Sequence, residues 1–172
     1  RIFDLEQYSV HGGTYRFFIC KEDSLFVNAI DDRIIEEEIT FEVDNYDKLS
    51  SVMDTIKHNM KEIKMVIEDI KSKGHSVVGY GATAKFTNVM NMCGLNDSHI
   101  DYVLDTTPLK NNKWIPNTNV QIKAYEPSKV KGIDYFYLGA WNYKNEVISK
   151  ELQFIRNGGK FITHIPEVTI LT

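Results

Sequence analysis

The chain has 172 residues, 42% of them hydrophobic and 26% charged, which is the composition of a folded domain large enough to bury a core. Its net charge of −4 argues against nucleic acid as a partner, because binding a phosphate backbone needs a basic face. No apolar run approaches the roughly 20 residues that span a bilayer, no basic-then-apolar leader is present, and Cys20 and Cys93 fit no metal or redox spacing. The expectation is therefore no membrane partner, free thiols and a cytoplasmic setting.

The chain starts at Arg1-Ile2-Phe3-Asp4-Leu5, without an initiator Met and already in strand-like alternation, which suggests a piece cut from a longer polypeptide. Residues 2–10 and 14–20 are rich in β-branched and aromatic side chains and flank His11-Gly12-Gly13. They read either as two extended segments joined by a glycine turn or as one strand broken by a bulge. An acidic stretch over 31–42 holds a predicted helix at 33–38. Asn45 or Asp47 then caps a long helix that runs to about Lys73, where Gly74 ends it. Its Leu49, Val52, Met53, Ile56, Met60, Ile63, Val66, Ile67 and Ile70 recur at helical spacing and read as core or partner-facing packing.

From Ser76 onward short apolar strands alternate with helices. Strands are predicted at 77–80, 100–104, 120–123, 135–138, 160–163 and 168–171. Helices are predicted at 83–92, ended by Gly94, and at 142–157, ended by Gly158-Gly159, with one helical turn at 127–130. A proline- and asparagine-rich loop fills 106–118, and its Trp114 reads as a hydrophobic anchor. This alternation predicts an α/β, Rossmann-like, doubly wound and mainly parallel sheet, with a leading hairpin-like segment and a long helix. The domains divide as 1–44, carrying the His-Gly-Gly turn, and 45–172. Ligands of such sheets gather beyond the carboxyl ends of the strands.

Gly79-Tyr80-Gly81-Ala82-Thr83-Ala84 fits G-x-G-x-x-A between a strand and a helix. Gly79 would allow a tight turn, Gly81 the close approach of an anion, and Ala84 the close packing of helix on strand. Asp105, at the end of the next strand, stands where a nicotinamide enzyme holds a ribose. Lys85, in the first turn of the helix, either reaches a phosphate or is solvated. Asp105-Thr106-Thr107-Pro108-Leu109-Lys110 also reads as turn chemistry. Trp141 and Asn142 follow a later strand, and Asn142 can cap a helix or bind a ligand. His11 sits beside glycines that would let a substrate approach, and imidazole suits proton abstraction near neutral pH. On the residues alone a turn histidine is the simpler reading of it. His58, His75, His99 and His164 read as surface, turn or loop residues, and no pair has metal-ligand spacing.

Six ordered segments then point to a family. His11-Gly12-Gly13-Thr14-Tyr15-Arg16, the Gly79–Lys85 run, Ile100-Asp101-Tyr102-Val103-Leu104-Asp105, Pro108-Leu109-Lys110, Ala140-Trp141-Asn142-Tyr143, and Gly158-Gly159-Lys160-Phe161-Ile162 through Ile165-Pro166-Glu167-Val168 occur in that order. Together they resemble the C-terminal domain of S-adenosylmethionine-dependent sugar-nucleotide C-methyltransferases, which methylate the carbon next to a ketone on nucleotide-linked deoxysugars. The resemblance spans nearly the whole chain. It implies that zinc and S-adenosylmethionine are held by regions other than these residues, and that the partners are a nucleotide-diphosphate sugar and a methyltransferase domain of the same polypeptide. It also implies that His11 is the base. Substrate-binding positions would be Gly12, Gly13, Gly79, Tyr80, Gly81, Ala82, Lys85, Asp105, Lys110, Trp141 and Asn142. Val10 stands where some relatives carry an acid, and Thr14 where serine is commoner. Two other readings remain: an NAD(P)-binding module of an oxidoreductase, resting on G-x-G-x-x-A and Asp105, and a Rossmann-like scaffold without catalysis.

Overall fold

A computed structural model describes residues 1–172 with the exception of His11 and Lys129. The chain divides into two compact units, Arg1–Asp54 and Thr55–Thr172. No helix is long and apolar enough to cross a membrane among the described residues.

In the first unit, β1 (Ile2–Tyr8) pairs antiparallel with β2 (Thr14–Ile19), closed by a 3-10 turn over Val10–Gly12. Of the two readings of this segment, the hairpin is the one formed. Gly12 and Gly13 take φ of 88° and 117°, values that side chains with a Cβ rarely adopt. Phe3 stacks on Phe26 at 4.7 Å between ring centroids and meets Phe18 at a tilt of 55° and 6.2 Å. Helix α1 (Asp32–Thr40) is capped by Asp31, whose carboxylate accepts from the Arg33 N–H at 3.0 Å. It is longer than the predicted 33–38. Asn45 starts α2 (Tyr46–Ser72) by accepting from the Asp47 and Lys48 N–H groups.

The apolar stripe of α2 has two fates. Ile63, Ile67 and Ile70 are buried, whereas Leu49, Val52 and Met53 are exposed. The C-terminal half lies on the sheet of the second unit, where burying each such side chain is worth about 1.5–3 kcal/mol.

That sheet is built from β3 (Val77–Tyr80), β4 (Val103–Asp105), β5 (Trp114–Ile115), β6 (Val120–Ala124), β7 (Tyr135–Leu138), β8 (Lys160–Thr163) and β9 (Thr169–Leu171), in the order β5-β6-β4-β3-β7-β8-β9. The middle strands β6-β4-β3-β7-β8 are parallel, and β5 and β9 close the two edges antiparallel. Alternation along β3 fixes the layers. Val77 belongs to the cluster under α2 and α3 (Ala84–Cys93), while Val78 and Tyr80 belong to the cluster under α4 (Lys144–Lys150) and α5 (Leu152–Arg156). Helices therefore cover both faces, as in a Rossmann-like sheet.

Four expectations need correction. Trp114 is 58% exposed and anchors no core; its two-residue strand pairs with β6 instead. The strand predicted at 100–104 is Val103–Asp105: at Asp101 the N–H still donates to the Val77 carbonyl at 2.9 Å, but the Val77 N–H donates to the Asp101 carboxylate, at 2.9 Å, which also pairs with Lys71 at 2.6 Å. The helix predicted over 142–157 is a 3-10 turn followed by two short helices that part at Glu151. His164 lies in the loop just after β8 but is not at the surface: it is 2% exposed and pairs through Nδ1 with the Tyr137 hydroxyl at 3.0 Å.

Candidate functional site

The order of the parallel strands reverses between β3 and β7. The chain leaves β3 toward β4 on one side and enters β7 from the other, so their carboxyl ends form the crevice where such sheets bind ligands. The glycine turn stands at this point. Gly79 is buried, and a Cβ on it would lie 2.8 Å from Val103 Cγ2 of β4 and 3.0 Å from the Phe86 ring of α3, so its lack of a side chain lets α3 pack close to the strand. Gly81 has φ of +88°, and a Cβ there would meet the Ala140 Cβ at 3.0 Å across the crevice.

The turn is held from both neighbouring strands. The Gly81 N–H donates to the Leu104 carbonyl at 2.8 Å, and the Gly139 and Ala140 N–H groups donate to the Tyr80 carbonyl at 2.9 and 3.2 Å. Thr83 caps α3: its Oγ1 accepts from the Phe86 N–H at 3.1 Å and donates to the Gly139 carbonyl at 2.9 Å. The first-turn N–H groups of Ala84 and Lys85 have no i−4 partner by helix geometry. Lys85 Nζ lies 4.7 Å from the centroid of the Trp141 ring, so these two side chains meet across the mouth. Asn142 follows Trp141 in the same 3-10 turn.

Asp105 faces inward. Its Oδ2 accepts from the Ala82 N–H at 2.8 Å and from Lys110 Nζ at 3.1 Å, and its Oδ1 accepts from the Thr107 N–H at 2.8 Å. Lys110 also donates to the Ala82 carbonyl at 2.9 Å. Burial by itself would raise the carboxyl's pKa, but the bonds from Thr107, Lys110 and Ala82 outweigh it and hold the group below the usual carboxylate range. Asp105 and Lys110 thus form a clasp on the turn. Tyr80 points the other way, into the opposite sheet face, where its hydroxyl donates to Glu151 at 2.9 Å.

The remaining sequence-predicted residues lie in the hairpin. Gly12 and Gly13, with Gln7, Tyr8 and Ser9, line an open hollow of about 450 Å³. Beside it the Tyr8 hydroxyl donates to Glu6, the Arg16 guanidinium pairs with Glu6 at 3.1 Å, and Arg16 also covers the Tyr8 ring at 4.7 Å. The bond to Glu6 raises the Tyr8 pKa. His11, the expected base, lies outside the described residues. The predicted residues therefore form two groups, Gly12 and Gly13 at the hairpin end and Gly81, Ala82, Lys85, Asp105, Lys110, Trp141 and Asn142 at the sheet's crevice.

A family model described as the C-methyltransferase C-terminal domain matches residues 9–166. The chain belongs to this family. It is also 30% identical over 176 aligned residues to C-methyltransferase NovU of Streptomyces niveus, a match covering 100% of the chain and 41% of that relative. The chain thus spans about two-fifths of the length of the relative it matches. Both the hairpin turn and the glycine turn of this methyltransferase-family domain fall inside the matched residues.

The domain's own residues do not fit the groups tied to methyl transfer. A bound S-adenosyl group or dinucleotide on this fold needs an acid free to accept from the ribose hydroxyls. Here the acid at that position, Asp105, is committed to three donors of its own loop. Among the described residues no group of three or more His, Cys, Asp and Glu side chains could hold a metal ion. Sequence reasoning passed over the Glu151 cluster, although Glu151 falls four residues after buried Val147 and three before buried Phe154, on the helix's apolar stripe. A charge at such a position is the signal that could have found it.

Proposed function

We propose that this domain holds a nucleotide-diphosphate sugar and supplies the base for C-methylation next to the sugar's ketone. The observation that supports the binding role best is the crevice at the strand-order reversal, where the open first turn of α3, the Lys85 cation and the Trp141 ring converge. Lys85 and the open N–H groups meet the diphosphate's charge. Trp141 and Asn142 flank it. Because the Ala82 N–H is already bonded to Asp105, the glycine turn acts through its shape, held by the Asp105–Lys110 clasp.

The base is His11, in the turn whose two following glycines leave its neighbourhood open to a substrate. In the reaction the C–H bond next to the ketone breaks, its proton passes to the imidazole, and its electron pair delocalises onto the ketone oxygen as an enolate. S-adenosylmethionine, held by another domain, would supply the methyl group that this carbon takes, its S–CH3 bond breaking with the electron pair left on sulfur so that S-adenosylhomocysteine departs. In Arg1–Asp54 the apolar side chains of Phe17, Ile19, Ile39 and Phe41 are exposed, and a methyltransferase domain of the same polypeptide would cover such a surface.

One observation favours a second reading, a scaffold without ligand: the occupied Ala82 N–H. Calorimetric titration of the chain with thymidine diphosphate, NAD and S-adenosylmethionine separates the readings. The proposal expects saturable binding of thymidine diphosphate alone, weakened about tenfold by K85A and by raised salt. Binding of NAD or S-adenosylmethionine, or of nothing, would overturn it.

A further inference from the structure

On the sheet face opposite the glycine turn lies a cavity of about 480 Å³, bounded by α4, α5 and the segment that leads into β7. Its apolar and aromatic lining, which includes Tyr125 and Phe154, is interrupted by the charged Lys131, Asp134, Lys150 and Glu151. The volume is that of small-molecule sites, which pair apolar walls with a few placed polar groups.

Glu151 is the unusual member. It is 6% exposed, and both of its hydrogen bonds end on one oxygen: Oε1 accepts from the Tyr125 hydroxyl at 2.5 Å and from the Tyr80 hydroxyl at 2.9 Å. Burial and the carboxylate push the Tyr125 phenol up to about 12, so both phenols keep their protons at neutral pH and act as donors. Among the described residues no fully buried side-chain oxygen lacks a partner, so Oε2, on which no bond to a described residue ends, keeps some exposure, and Glu151 lines the cavity. A buried carboxylate with one oxygen satisfied and one free is a strong acceptor in a low-dielectric site. Near it, Lys150 Nζ sits 3.8 Å from the Tyr125 ring centroid.

We propose that this cavity is a second binding site, which takes a purine of the guanine type carrying an anionic substituent. A free carboxylate oxygen accepts two N–H groups, and the guanine edge presents two adjacent donors, the ring N–H and the exocyclic amino group. Bases whose edge alternates donor with acceptor would set a lone pair against the carboxylate. The flat ring lies between the Tyr125 and Phe154 sides of the cavity, and Lys150 and Lys131 meet the anion. The site is separate from the crevice, because Tyr80 and Glu151 belong to the opposite sheet face.

The test is an amide NMR titration of the chain with guanosine 5′-monophosphate, with inosine 5′-monophosphate and guanosine as controls. The proposal expects saturable shifts at the Gly132 and Gly159 amides. It expects binding about tenfold weaker for the inosine nucleotide, which lacks the amino group, and for E151Q. K150M, which leaves the carboxylate and its two phenols in place, should weaken the guanosine nucleotide but not guanosine, and it decides the matter if E151Q does not fold. No shift at millimolar nucleotide, equal affinity for the inosine nucleotide, or shifts confined to Gly81 and Lys85 would overturn the second site. The last of these would leave the sugar-nucleotide proposal standing.

Discussion

The two units of this chain solve different problems. Thr55–Thr172 contains every buried residue described, with Phe136, Tyr137, Leu138, Phe161 and Ile162 at 0% exposure in the centre of the sheet. Arg1–Asp54 contains none: its hairpin and α1 hold together by aromatic pairs, a cap and exposed ion pairs, which contribute tenths of a kcal/mol to about 1 kcal/mol each. The difference separates two tasks. The second unit can fix a crevice because its strands are locked by packing on both faces. The first carries the expected base on an element whose own contacts are few, and its exposed apolar side chains would gain from a covering surface.

The sharpest way to break this comparison is truncation of matched aromatics. F136A should destabilise the chain by about 3–5 kcal/mol through cavity formation, whereas F17A, at a side chain already 54% exposed, should cost under about 1 kcal/mol. Denaturant melts that gave similar losses for both would remove the distinction.

Acid should act next, and mainly through the second unit. Burial pushes the His164 pKa down to about 4, below its ordinary 6.5, so the folded state resists a proton that the unfolded chain accepts. The stability is fully present above pH 6.5 and is lost as the pH falls toward 4, by about 3 kcal/mol over that window. Urea midpoints at pH 7.5 and 4.5 measure it, and H164Q should flatten the dependence.

A smaller effect is expected at the crevice. D105N removes the negative charge that the Ala82 and Thr107 N–H groups and Lys110 share, and it should cost about 1–3 kcal/mol. The Gly81 and Ala82 amides should then exchange faster, while those of β1 and β2 stay unchanged. Equal acceleration in both units would mean that the clasp is not local.

Most of the sheet was legible because its signals are local. Val77–Tyr80, Tyr135–Leu138 and Lys160–Thr163 are short apolar runs between turn residues, and Thr83 and Gly94 bracket α3 as cap and left-handed terminus. What escaped depends on distant partners. Nothing next to His164 in sequence announces Tyr137, and nothing near Glu151 announces Tyr80 and Tyr125, although these contacts respectively bury a histidine and accompany the break in a helix. At the candidate site the glycine turn was visible from its pattern. The inward turn of Asp105 was not, because a carboxylate that binds a ribose and one that binds its own loop occupy the same place in the sequence.

The central claim is that the two units divide the work, the crevice holding the nucleotide sugar and the hairpin turn taking the proton. It is tested most directly by deuterium exchange at the carbon next to the sugar ketone, in this chain joined to the methyltransferase domain that the proposal expects beside it. H11Q should slow the exchange by at least about 10²-fold while leaving thymidine diphosphate affinity unchanged. Exchange at the wild-type rate in H11Q would contradict the account.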